Sequence, residues 1–100
     1  MTIITRENVE VEDVETEIIE PQETPSDRNR HFGVSNGDQE IEVKVWGSND
    51  CENWVERGSQ TIDANGSGAL ICEPTVCYVK LTGKTTTPRT TSIVDACLFY

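Results

Sequence analysis

The chain has one histidine and one methionine, and nowhere in its 100 residues is there a Cys-x-x-Cys pair, a glycine-rich phosphate loop or a long apolar run. Each absence removes a class of function. A Ser-His-Asp or Cys-His arrangement would have to use His31, and no nucleophile accompanies it in sequence. Without metal-ligand spacing or a phosphate loop, the expectation is a protein that is not an enzyme and carries no cofactor. No stretch approaches the length of a membrane span. The opening Met-Thr-Ile-Ile-Thr-Arg-Glu lacks the basic start and apolar core of a signal peptide, which predicts synthesis in a cytoplasm. Positive charge is also scarce, with 8 Lys and Arg against 18 Asp and Glu and a net charge of −10. Phosphate backbones and anionic lipid repel such a chain, so the reading is no nucleic acid and no membrane.

The acidity that is present sits mostly at the front. Residues 1–24 carry eight acids against Arg6, whereas residues 25–100 carry ten acids against seven bases. The front also contains no glycine and is dense in Ile, Val and Thr. Val9-Glu10-Val11-Glu12 alternates like a strand, while Val11, Val14 and Ile18 fall at helical spacing, so period alone leaves both open. β-branched density favours an extended acidic arm over 1–24. Ile3, Ile4, Val9, Val11, Val14, Ile18 and Ile19 are its candidate partner-binding residues, able to add a strand to a neighbouring subunit. Pro25-Ser26-Asp27-Arg28-Asn29-Arg30 reads as a linker, and 31–100 as the domain proper.

That domain is organised around Ile41 to Trp54. Ile41, Val43 and Val45 alternate with Glu42 and Lys44, a half-buried strand, and Gly47-Ser48-Asn49-Asp50 supplies a polar reversal into Trp54-Val55. His31 to Ser35 is a short strand, and Asn36-Gly37 is a two-residue hairpin signal leading back to Ile41. Gln60 to Ile62, Ala69 to Cys72 and Val76 to Thr82 follow as strands, separated by the Asp63 to Gly68 loop. Asn65-Gly66-Ser67 matches a glycosylation sequon but reads first as turn chemistry. Gly83 to Thr91 is a hydroxyl-rich loop. Ile93 to Tyr100 is a near-continuous apolar run suited to a strand covered on both faces. About six short strands with regular turn signals and no helix predict an all-β fold, a small antiparallel β-sandwich or jelly roll with an extended N-terminal arm.

Candidate chemistry is sparse. Cys51, Cys72, Cys77 and Cys97 are even in number, yet without a secretory signal free thiols are the default, with Cys51 the most exposed. Asn49, Asp50, Glu52 and Asn53 form an oxygen-rich cluster of the kind calcium takes, and also of the kind ordinary loops use. Trp46, with outward parity, joins Asp50 and Tyr78 as a candidate ligand surface, since aromatic faces stack on sugars; Trp54 reads as core. Asp95, between Val94 and Ala96, reads as an outward or hydrogen-bonded strand residue.

Val45 to Trp54, then Cys77-Tyr78-Val79-Lys80-Leu81, then the terminal Ala96-Cys97-Leu98-Phe99-Tyr100, resemble the second half of a discoidin-like or galactose-binding-like jelly roll. The resemblance covers about 60 residues of the chain. It implies the architecture, and its family's longer front is replaced by the acidic arm.

By type the chain also resembles small structural proteins of bacteriophage particles. This implies a non-enzymatic assembly protein, a virion subunit of the capsid decoration, cement or tail kind, made in a host cytoplasm. Its partners would be other copies of itself and a larger capsid or tail assembly, held through the arm. The alternative is a carbohydrate- or calcium-dependent binding module of galactose-binding-like type, with a glycan as its partner.

Overall fold

The computed structural model describes every residue from Met1 to Tyr100 as eight strands without a helix: β1 (Ile3–Val11), β2 (Thr16–Glu23), β3 (Arg30–Ser35), β4 (Ile41–Ser48), β5 (Val55–Ile62), β6 (Ser67–Cys72), β7 (Tyr78–Thr85) and β8 (Ser92–Phe99). They form two four-stranded antiparallel sheets, β1-β8-β3-β6 and β2-β7-β4-β5. Only β4 and β5 are consecutive partners; every other connection crosses from one sheet to the other. The core lies between the sheets and is built mainly from Val11, Ile18, Ile19, Phe32, Ile41, Val43, Val45, Val79, Leu81, Val94 and Leu98. Ile41, Val43 and Val45 point inward and Glu42, Lys44 and Trp46 outward, as the alternation predicts. Asn49 to Trp54 joins β4 to β5, so this hairpin stands as read.

Residues 1–24 are extended, and they pair within the chain's own two sheets. β1 pairs along β8 from Ile3↔Phe99 to Val11↔Ser92, and β2 pairs along β7 from Thr16↔Gly83 to Glu23↔Tyr78. The sandwich therefore begins at Ile3 and not at His31. Val11, Ile18 and Ile19 are buried in the chain's own core, and Ile4 and Val9 pack against it; only Ile3 and Val14 stay exposed, at 61% and 62%. The mixed periodicity has a physical cause. The β1 register shifts between Arg6 and Val9, with Asn8 at φ 56°, and the β2 register shifts between Glu17 and Ile19 and again before Gln22. Each shift moves the inward positions by one residue, so Ile18 and Ile19 are both buried and the front mimics a helical spacing. Asp95 accepts the Asn8 N–H at 2.8 Å and fixes the β1 bulge.

The stretch 25–30 is also more than a spacer. Arg30 is fully buried at the start of β3 and donates to the carbonyls of Pro25 (2.9 Å), Arg28 (3.2 Å) and Glu73 (2.9 Å), with no carboxylate beside it.

Asn36-Gly37 is not a hairpin turn, because β3 and β4 lie in opposite sheets. It is a corner. The buried Asn36 amide donates to the carbonyls of Gln39 (2.7 Å) and Asp63 (3.0 Å), and its oxygen accepts from Ser92 Oγ (2.8 Å). A Cβ on Gly37 would sit 2.6 Å from the Ile93 carbonyl, so the corner passes too close to β8 for a side chain. Asn-Gly suits a sheet-to-sheet corner as well as a hairpin, which is why the local signal misdirects. β8, expected to be covered on both faces, buries Ser92, Val94, Ala96 and Leu98 and leaves Ile93 and Asp95 exposed. The two chain ends meet: Thr2 N–H donates to the Tyr100 carbonyl at 2.8 Å, and Tyr100 N–H to the Thr2 carbonyl at 3.1 Å.

Candidate functional site

The two outer faces of the sandwich differ sharply in chemistry. Antiparallel partners share a face, so the registers fix which outward side chains are neighbours. On β2-β7-β4-β5 the outward rows mix Glu17, Glu42, Lys44, Glu56, Lys80 and Lys84 with Trp46 and Thr82. Trp46 has the expected outward orientation, but it is engaged within the chain. Its indole N–H donates to Thr82 Oγ1 at 2.8 Å, Thr82 donates to Glu15 at 3.1 Å, and Lys44 and Lys80 lie 6.0 and 5.9 Å from its ring centre. Trp54, expected in the core, is half-buried on this surface, with the Lys80 ammonium 4.5 Å from its ring centre. The loop after β4 folds it back over the sheet. Two indoles thus share one lysine, an arrangement whose cation–π contacts are each worth about 0.5–1 kcal/mol at a surface.

Tyr78 lies opposite Ser48, whose hydroxyl meets Asp50, so Trp46, Tyr78 and Asp50 do gather at one end of this face. The Glu23 carboxylate opposite Tyr78 pushes its phenol up, with partial desolvation and the Cys51 and Cys77 thiols adding to it. Next to Trp46, an open cleft of about 380 Å³ is lined by Asp13, Glu15, Glu42, Lys44, Thr82 and Lys84. Its charges are mixed, so it selects no ligand of one sign.

The oxygen cluster is used up locally. Asp50 Oδ1 accepts the N–H groups of Glu52 and Asn53, each at 2.9 Å, and the Ser48 hydroxyl at 2.9 Å; Oδ2 accepts the Asn53 side-chain amide at 2.7 Å. Asn49 Oδ1 accepts the Cys77 N–H at 3.2 Å. A cation needs lone pairs facing outward, and here N–H donors face the carboxylate, so Asn49, Asp50, Glu52 and Asn53 close a turn instead of framing a calcium site. The backbone donors from Asn53 and Glu52, then the Asn53 amide and Ser48, hold the Asp50 carboxyl well below the usual carboxylate range. A group lowered in the folded state contributes its stability above its unfolded pKa and loses it as pH falls through the folded one. Asp50 is therefore expected to stay ionised in a carbon-detected NMR titration well below pH 3.9, the ordinary Asp value. In Asp50→Ala the amides of Glu52 and Asn53 should exchange faster at neutral pH; unchanged exchange would contradict this role.

The outer face of β1-β8-β3-β6 is assembled from all four strands. Its first row runs Ile3, Phe99, His31, Ile71 across all four strands, and its second Thr5, Cys97, Gly33, Ala69. His31 stacks on Phe99 with ring centres 5.0 Å apart and planes 11° from parallel, which is the role of the single histidine here. Ile3 and Ile71 at the two ends are 61% and 49% exposed. A shallow depression of about 400 Å³ lies over Gly33 and Cys97 and is lined also by the charged Arg6, Glu7 and Asp95; a Cβ on Gly33 would stand 3.1 Å from the Cys97 sulfur. These two rows hold no charged residue, in a chain of net charge −10. All four cysteines are free: Cys51 exposed, Cys72 buried, and Cys77 and Cys97 between.

No family model matches the sequence, and no curated protein matches it. Solved structures do share the fold. PirA, known from its crystal structure, aligns with a TM-score of 0.69 at 11% identity, over 98% of this chain and 93% of that one. The PBSX exported protein XepA aligns with a TM-score of 0.74 at 10% identity, over 97% of this chain but 36% of that one, so this chain spans about a third of XepA. A subunit from Bacillus endospore appendages, described as a novel family of disulfide-linked pili, gives 0.52 at 9% identity, over 98% and 88%. At such identities these likenesses show a shared all-β sandwich architecture and nothing finer.

Proposed function

We propose that the chain is a non-enzymatic structural subunit of a larger assembly, a virion component of the capsid decoration, cement or tail kind. In this reading it is made in a host cytoplasm and carried on the particle, with other protein subunits as its partners and neither nucleic acid nor membrane among them. The observation that carries the reading is the uncharged row Ile3, Phe99, His31 and Ile71 beside Thr5, Cys97, Gly33 and Ala69. An apolar band crossing a whole sheet of an acidic chain is where protein contact releases the most water with the least electrostatic cost. The contact lies on this face; of residues 1–24 only Ile3 and Thr5 belong to it, since Val11, Ile18 and Ile19 are spent on the core. The likeness to the PBSX exported protein XepA and to the appendage subunit lends support, since an exported protein and a pilus subunit share the sandwich.

The test is sedimentation of a lysate of the source organism through a density gradient. The chain should travel with particles, and Ile3→Lys with Thr5→Lys, both on exposed positions of β1, should leave a folded protein at the top. A wild-type chain found only as a free monomer would sink the reading. Glycan-array binding by that monomer, lost on changing Trp46 or Tyr78, would favour a carbohydrate-binding module instead.

A further inference from the structure

Each sheet has two edges, and three of the four are visibly guarded. β1 carries a bulge with Asn8 at φ 56° and is lined by Arg6, Glu7 and Glu10. β2 carries two register shifts, Pro21, and Glu17, Glu20 and Glu23. These two edges are also clasped together, since the Arg6 guanidinium grips both oxygens of the Glu20 carboxylate. β5 carries Glu56 and Arg57 and a register shift against β4. Bulges, prolines and charges are the devices by which sheets avoid edge pairing.

β6 has none of them. Ser67-Gly68-Ala69-Leu70-Ile71-Cys72 contains no charge and no proline, and its register with β3 is unbroken over all six residues. Beside it, where the other side of the sandwich has its ion pair, there is an open cleft of about 390 Å³ lined by Gly58, Ser59, Gln60, Ala69, Leu70 and Ile71. None of these is ionisable.

We propose that β6 is a pairing edge and that its occupant is β6 of a second copy of this chain, antiparallel about a two-fold axis. The two β1-β8-β3-β6 sheets then run into one continuous sheet. Charge limits where two copies can meet: chains of net charge −10 repel, and β6 is the one edge strand that sets no acid against an acid. β6 is also the only edge strand of this chain that is both unbulged and uncharged. Because antiparallel partners share a face, the axis must pass through a residue. Centred on Ala69, it sets Ala69 against Ala69 and Ile71 against Ser67 outside, and Leu70 against Gly68 inside, where Gln60 and Ile62 of the same chain already fill the place of a side chain. The apolar row ending at Ile71 then continues toward the second copy. The inference rests on the assembly reading only for its purpose, since the pairing itself is a property of the isolated chain.

Light scattering on the purified protein should give twice the 11.1 kDa chain mass at high micromolar concentration and the single mass on dilution. Hydrogen exchange of the β6 amides that point away from β3 should slow by about tenfold or more in the concentrated sample. Ala69→Lys, at an exposed position, sets two ammonium groups opposite each other on the axis and should restore the single mass with an unchanged far-UV spectrum. A chain that stays monomeric throughout overturns the proposal. So does a dimer that tolerates Ala69→Lys or leaves the β6 amides fast. A chain that sediments with particles yet is monomeric alone loses this proposal and keeps the assembly reading; one that pairs through β6 but enters no particle does the reverse.

Discussion

A chain shortened to residues 25–100 is expected not to fold. As a detachable tether, 1–24 could be removed with the sandwich intact; as β1 and β2 it cannot. The deletion takes away Val11, Ile18 and Ile19, each buried in the core. At about 1.5–3 kcal/mol for a fully buried aliphatic side chain, that loss is roughly 5–9 kcal/mol, as large as the whole stability of many small domains. It also strips the partners from β8 and β7, leaving their backbone edges and the inner faces of Val94, Leu98, Val79 and Leu81 open. Far-UV circular dichroism and urea titration check this. The expected outcome is a spectrum without sheet signal and no cooperative transition. A cooperative transition near that of the full chain would mean that the front is dispensable, and the fold described above would be wrong there.

Arg30→Ala should lower stability by about 3 kcal/mol and the thermal midpoint by more than about 10 °C. The Arg30 guanidinium links the 25–30 segment to Glu73, just after β6; its two terminal nitrogens donate to backbone carbonyls, and one also meets Cys72 Sγ, while Nε is buried without a partner. Alanine leaves a side-chain-sized void and loses several charge-assisted hydrogen bonds at once. Arg30→Lys should recover little, because an ammonium point charge cannot span carbonyls that a planar fork reaches from both sides. Arg30→Met keeps the stem and lets the carbonyls return to water, so it should be the mildest of the three. If alanine costs less than about 1 kcal/mol by chemical denaturation, the buried cation contributes little and the segment is held by backbone contacts such as Thr75 N–H to Ser26 and Thr24 N–H to Cys77.

What the sequence discloses here depends on whether the signal is local. The β4 alternation, the polar reversal at Ser48 to Asp50 and the outward parity of Trp46 are local, and they hold. The front fails as a local signal because bulges at Asn8 and around Ile19 break the two-residue period, and a broken strand looks like a helix or a tail. Asn36-Gly37 fails because the same turn chemistry serves a corner. The first apolar row is illegible for a different reason. Ile3, His31, Ile71 and Phe99 come from four separate strands and become neighbours only through registers that no window on the chain contains. Arg30 gave no sign either, since a lone basic residue among Asp27, Arg28 and Asn29 looks solvated until Glu73 arrives from the far end of the adjoining strand.

The hydrogen bonds between Thr2 and Tyr100 have a practical side. Start and finish lie one strand spacing apart, so a few added residues could join them into a closed ring. New ends could then be opened at the Asp63 to Gly66 turn, which lies in an exposed loop. Such a permuted chain should keep the sandwich, because every strand retains its partner. The same geometry places an affinity tag on either terminus beside Ile3 and Phe99. It would sit over the apolar row, and interaction experiments should carry the tag on a loop at the other end of the sheets, such as that between Thr86 and Thr91.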